Sequence, residues 1–253
     1  LTRKTLLRSG ELDGVKITKA IVISDARETA PATSADIPEL PPEDISSFNL
    51  STEINGGTIS SSPGVDQTWR GNITISANLT IPSGVTITVA SGAVITVNDN
   101  VTLTIQGKME PTSATFTFGA GTGLTVSSGG TVSSTGTNWT FGNNATITVA
   151  SGGPLSLGNG SLTTGTTATM TVTGAVSLAT LTFGAGATLT IQSGGSVTFT
   201  ASALTFGNNA TITIAAGGTL SLGSGTFTTG TNAALTVSGT LSGGTLSFGA
   251  GST

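Results

Sequence analysis

The chain has 253 residues with 8 Lys and Arg, 12 Asp and Glu, no Cys and no His. Disulfides, thiolate metal sites and imidazole chemistry are therefore absent from its repertoire, and no cofactor or metal is called for. Fifteen of the twenty charged residues fall within residues 1–53, and residues 111–253 contain none. A nucleic-acid groove needs clustered Lys and Arg, so that class is excluded.

Residues 1–13 are basic, then acidic. Residues 14–24, GVKITKAIVIS, read as a strand with Val15, Ile17, Ile21 and Ile23 on one face and Val22 on the other. Residues 25–47 hold four prolines and an acidic bias, the composition of an extended linker. Residues 1–47 thus form an N-terminal arm, and residues 48–253 a second region. That region opens with two weak strand signals, Phe48–Leu50 and Thr58-Ile59, separated by Gly56-Gly57. The first residue is Leu, which we read as the start of a mature, exported chain whose signal has been removed. No run of 18 apolar residues exists, so no helical membrane span is expected.

From residue 69 onward the chain repeats itself. Residues 139–174 and 204–239 are identical at 25 of 36 positions, at an offset of 65. Residues 116–144 match 181–209 at 17 of 29 positions, at the same offset. Ungapped repetition signals stacked units. Gly119, Gly142, Gly165, Gly184, Gly207, Gly230 and Gly249 each close a short run of Thr and apolar residues, at spacings of 23, 23, 19, 23, 23 and 19. Each step carries three pieces, such as Leu181–Gly184, Ala187–Ile191 and Val197–Phe199. Alternation of Thr with Leu, Ile, Val or Phe is the period-2 mark of a strand with one buried face, and glycines supply turns where positive φ is needed. The expected fold is all-β: a single-chain parallel β-solenoid with three short strands per coil, about 19–23 residues each. About eight coils spaced by roughly 4.8 Å would span about 40 Å.

The opening stretch, residues 69–107, resembles the first coils of right-handed parallel β-helix proteins. The likeness rests on Trp69-Arg70-Gly71-Asn72, the run IPSGVTITVASGAVITV and the LTIQG step at 103–107. It implies a right-handed coil and a secreted or surface-displayed setting. It implies little about activity, because this fold hosts lyases, hydrolases, adhesins and fibres.

Stacking should put like residues over like. Phe118, Phe141, Phe183, Phe206 and Phe248 are expected to form an internal aromatic column, and Ile147, Val149, Leu189, Ile191, Ile212 and Ile214 an aliphatic one. Asn143-Asn144 and Asn208-Asn209 occupy equivalent corners and suit turns. Trp139, where the next repeat has Leu204, is expected to pack rather than bind sugar.

Catalysis is not expected. After residue 68 the only charged side chains are Arg70, Asp99, Lys108 and Glu110, too few for paired-carboxylate chemistry. Outward Thr-x-Thr pairs such as Thr102/Thr104, Thr146/Thr148, Thr169/Thr171, Thr188/Thr190 and Thr211/Thr213 resemble the flat faces of β-solenoid ice-binding proteins. Thr also suits any uncharged exposed strand. Asn-x-Ser/Thr sequons at Asn72, Asn78, Asn138, Asn144 and Asn209 are possible sites for covalent glycans.

Two functional readings follow, both extracellular or at the cell surface. In the first, the chain is a structural subunit of a self-assembling filament, with itself as partner. Leu246 and Phe248 then form an open C-terminal coil edge, and the 14–24 strand adds to a neighbour's sheet by β-augmentation. In the second, it is an adhesin or binding module that presents flat Thr-rich faces to a glycan, a surface or ice.

Overall fold

A computed structural model describes residues 52–253 and the short segments Glu11–Leu12 and Val15–Lys16. The chain divides into two units, Leu1–Thr52 and Glu53–Thr253. In the first, Glu11–Leu12 and Val15–Lys16 pair antiparallel, with Leu12 opposite Val15. Of the expected assembly strand, Ile17, Ile21, Val22 and Ile23 lie outside the described residues, as does the linker at 25–47.

The second unit is a parallel β-solenoid. Its strands form one eight-stranded sheet and one sixteen-stranded sheet, and successive turns pair in parallel. The alternating sequence explains the local structure. In Thr188–Ile191 the burial alternates, with Leu189 and Ile191 fully buried and both Thr facing outward. The same pattern holds in Thr102–Ile105, Thr146–Val149, Thr169–Val172 and Thr211–Ile214. No strand can bury its apolar face alone, so the core exists only because coils stack. The aliphatic column is present as expected: Ile147, Met170, Leu189 and Ile212 are paired in sequence, and so are Val149, Val172, Ile191 and Ile214.

The aromatic column is not continuous. Phe118 stacks on Phe141 with centroids 4.0 Å apart, and Phe183 on Phe206 at 4.8 Å with rings nearly parallel at 4°. Between these pairs Phe141 faces Thr164, and beyond them Phe206 faces Thr229. Both Thr are 5% exposed, and the Thr164 hydroxyl donates to the Gly165 carbonyl at 3.2 Å, which satisfies it inside the core. The hydroxyl rung at Thr164 therefore separates a cluster of Phe116, Phe118, Trp139 and Phe141 from the Phe183–Phe206 stack, and past Thr229 the ring of Phe227 carries the contact on to Phe248. Trp139 is fully buried, packed on Phe116 at 4.8 Å, so it is a core residue and not a sugar platform.

The glycines serve two purposes that the sequence does not separate, and some, such as Gly244, serve both. The run-closing glycines do not take positive φ. They are needed because the coil below passes too close: a Cβ on Gly142 would lie 2.7 Å from the Ala120 nitrogen, and one on Gly184 would lie 2.4 Å from the Gly165 carbonyl oxygen. Gly129 and its counterparts at the other corner do use positive φ, +81° at Gly129. In the same corners as the run-closing glycines, Asn144 and Asn209, two residues on, take the left-handed conformation, as does Asn100 at the equivalent corner, with φ of 57–59°.

The residue before each of these is an acceptor for the next coil. Asn143 and Asn208 receive the N–H groups of Thr166 and Thr231, both at 2.9 Å, and Asp99 receives that of Ala120 at 2.8 Å. Replacing Asn143 by Ala removes one such bond at an exposed corner. A cost of about 0.5–1.5 kcal/mol is expected, read as a small fall in melting temperature with no change in fold.

The N-terminal end has its own covering. The strand Thr52–Ile59 pairs with Gln67–Ile75. It contains the expected Thr58-Ile59 but begins earlier and runs through Gly56 and Gly57, while the expected Phe48–Leu50 lies outside the described residues. Ile54 and Ile59 pack against the core. Asp66 accepts the Thr86 N–H at 2.8 Å and Ser62 that of Thr80 at 2.9 Å, while Arg70 pairs with Glu53 at 3.2 Å. In the last described coil Val237, Leu246 and Phe248 are 44%, 43% and 47% exposed.

Candidate binding faces

The register of the eight-stranded sheet sets an unbroken outward row: Thr80, Thr104, Thr125, Thr148, Thr171, Thr190, Thr213 and Thr236. Two residues earlier in each strand runs a flanking row: Thr102, Gly123, Thr146, Thr169, Thr188, Thr211 and Ala234. Neighbours in a row are separated by the strand spacing, about 4.8 Å, and the two rows by about 6.6 Å. Neither row contains a charge.

The sixteen-stranded sheet supplies two further outward surfaces. One carries Thr74, Thr96, Thr117, Thr140, Thr163, Thr182, Thr205 and Thr228 in line, ending at Ser247. Its flanking row is mixed, opening Asn72, Val94, Thr115, Asn138. The other carries Ser133, Ser156, Ser177, Thr198, Ser221 and Ser242, and near its start Thr88 pairs with Glu110. Lys108 and Glu110 form an ion pair of 2.5 Å there. Lys108 also borders a shallow pocket of about 250 Å³ with Gln106, Gly107 and Thr131. The three surfaces thus differ in degree: the first has four successive strands with a complete Thr-x-Thr pair, the second has such pairs only in isolated strands, and the third is a Ser-rich row with an ion pair. That difference follows from register, which the repeat spacing alone does not reveal.

The remaining candidate residues have plain placements. Asp99 is engaged at its corner, and Glu110 lies on Lys108–Pro111 beside its own lysine. Among the described residues no three His, Cys, Asp or Glu side chains cluster, and no helix is long and apolar enough to cross a membrane. The sequon residues Asn72, Asn78, Asn138, Asn144 and Asn209 are all exposed. Asn78, Asn138 and Asn144 accept hydrogen bonds from Thr102, Ser161 and Thr167 through their side-chain oxygens, not through the amide nitrogens to which a glycan attaches.

No protein-family profile matches the chain, and no curated protein does. Among solved structures it is similar to one described as the TibC-catalyzed hyper-glycosylated TibA55-350 fragment. The identity is 15%, over 78% of this chain and 91% of that one, with a TM-score of 0.24. A likeness that weak informs neither fold nor function.

Proposed function

We propose that this chain is a non-enzymatic surface-binding module, displayed outside the cell, that uses flat, uncharged solenoid faces to grip an extended and repetitive partner. The observation that supports this most is the unbroken row of eight in-register Thr on the eight-stranded sheet. A deep pocket suits a small ligand. A ladder of identical hydroxyl groups at a fixed pitch suits a partner that repeats at a similar pitch. Coils of three strands, arranged in a 65-residue super-repeat, are the device we infer for keeping that pitch constant. Exposed sequon asparagines at the corners and on the second face are compatible with a glycosylated, exported chain.

The test is co-sedimentation of the full chain with solid partners: ice, crystalline chitin or cellulose, and fixed cells. Partition into at least one solid phase at protein concentrations where the chain alone stays in solution is the expected result. Absence from every pellet overturns the reading.

A second reading, end-to-end self-association, is favoured by the exposed Val237, Leu246 and Phe248 of the last described coil. That surface is what a following coil covers, whether it comes from the same polypeptide or from another copy. Concentration-dependent sedimentation of the chain without any solid, abolished by Phe248→Lys, would select this reading.

A further inference from the structure

We propose that the solenoid carries a separate site at one of its corners, a notch that takes a secondary amide borne as a side group: the acetamido group of an N-acetylated sugar. The notch lies away from the Thr rows and stands independently of them.

It arises from turn length. One corner joins each strand of the eight-stranded sheet to the Ser-rich surface. Between Ile81 and Thr86 the turn has four residues, between Ile105 and Lys108 two, and between Val126 and Thr131 four again. The same shortening recurs at Thr173-Gly174 and Ser238-Gly239, one coil in three.

The short turn interrupts a ladder. Where two long turns stack, the turn glycine donates its N–H to the next coil, Gly129 to the Gly152 carbonyl at 3.2 Å and Gly194 to the Gly217 carbonyl at 3.0 Å. Gly84 has the same φ, +82° against +81° and +80°, so its N–H points the same way. Ahead of it lies the short turn Gln106-Gly107. Neither the Gly84 N–H nor the Gly129 carbonyl on the far wall has a hydrogen-bond partner in the chain. Both residues are exposed. The walls are two strand spacings apart, about 9.6 Å, which is room for one amide that accepts from the first wall and donates to the second.

Two observations choose the carrier of that amide. The backbone on either side is already paired: the Gln106 and Gly107 N–H groups donate to the Ile81 carbonyl, Lys108 to Val85, and Thr131 to Gly107. A peptide strand therefore has no ladder to continue into, whereas a pendant amide enters from the side. The pocket at this point holds about 250 Å³, with Val85 to receive an acetyl methyl and Ser83, Gln106, Lys108 and Thr131 around it. Hydroxyl, amide and ammonium groups at that rim match the hydroxyls of a sugar ring. The next short turn lacks this rim. There the Thr173 hydroxyl is tied to Gln192 at 3.0 Å, and Ala175 stands at the register position of Lys108.

The experiment titrates the isotope-labelled full chain with three probes and follows the amide resonances of Gly84 and Gly129 by NMR. The probes are the N-acetylglucosamine trimer, the glucosamine trimer without acetyl groups, and N-acetylglycine methylamide as a bare peptide unit. A variant in which the Gln106-Gly107 turn is lengthened to the Ser-Ser-Gly-Gly of residues 127–130 supplies the amide from the chain itself. Gln106→Trp, at an exposed position, covers the notch with a ring and serves if the longer turn does not fold. The expected result is a saturable Gly84 shift with the acetylated trimer at a Kd of about 1–10 mM, binding of the unacetylated trimer weaker by about tenfold or more, and loss of the shift in each folded variant. No Gly84 shift with the acetylated trimer overturns the site. An equal response to the unacetylated trimer overturns amide recognition. A response to the methylamide as strong as to the acetylated trimer overturns the sugar as carrier. A response kept in a folded variant overturns the notch as its location. Co-sedimentation with solids through the Thr rows succeeds or fails apart from these shifts, so the two readings fall separately.

Discussion

Phe206→Asp is expected to yield no stably folded solenoid. Phe206 is 2% exposed, lies flat on Phe183 at 4.8 Å, and touches Phe227 at 5.7 Å. Truncating a buried Phe alone costs about 3–5 kcal/mol. The carboxylate adds a desolvation penalty of several kcal/mol, with no cation within the charge-free stretch 111–253 to offset it. Together these approach or exceed the roughly 5–15 kcal/mol that holds a typical domain folded. The nearest hydroxyl rung, Thr229, is paired to the same strand but offers a neutral group only. Phe206→Leu is the control: it keeps the site apolar and should fold with a lower melting temperature. A Phe206→Asp protein with the parent's circular dichroism and melting curve would show that this ring does not point into the core.

Gly184→Ala is expected to destabilise the solenoid strongly for a change of one methyl group. The added Cβ would sit 2.4 Å from the Gly165 carbonyl oxygen and 2.5 Å from its carbon, closer than real Cβ contacts come. Both obstacles are backbone, so no side chain can swing aside. Relief requires the coils to separate, which stretches the 3.1 Å bond from the Gly184 N–H to the Thr164 carbonyl and its neighbours along the ladder. Overpacking of this kind costs about 1–3 kcal/mol and sometimes more. The comparison is Gly129→Asn, where a Cβ meets nothing within 4 Å and the residue tolerates the +81° φ. Denaturant unfolding should rank Gly184→Ala well below Gly129→Asn. The reverse ranking would mean that turn conformation, not coil contact, selects these glycines.

Much of the fold was legible because the repeat writes it several times. The 23- and 19-residue spacings are the same intervals at which Phe118 meets Phe141 and Thr169 meets Thr188. Inward and outward positions followed from alternation. The interruptions at Thr164 and Thr229 were also written, in SLTTG and TFTTG, but a column inferred from its phenylalanines passes over the coils that lack one. Of the strand Thr52–Ile59 only the end at Thr58-Ile59 was legible, since the Glu, Asn and two Gly before it give no apolar alternation, and pairing to Gln67–Ile75 supplies what the sequence does not. The roles of the glycines were illegible for a physical reason: a residue without a side chain reads the same whether φ or a neighbour's backbone demands it. For the candidate site, the Thr-x-Thr pairs were legible but their ranking among three surfaces was not. Ranking needs the cross-coil neighbours of every outward residue.

The direction of the backbone hydrogen bonds has a mechanical consequence. In the solenoid they run from coil to coil, as from the Gly142 N–H to the Phe118 carbonyl and from the Gly165 N–H to the Phe141 carbonyl, both at 2.8 Å. A tensile load along the stacking axis therefore meets these bonds head-on and opens them a few at a time, like a zip, rather than shearing a whole sheet at once. Each 23-residue coil that peels away gives up about 4.8 Å of stack and releases up to about 75 Å of extended chain. Under tension the solenoid would pay out length in discrete steps and dissipate work at each one, a shock absorber whose stroke is set by the number of coils.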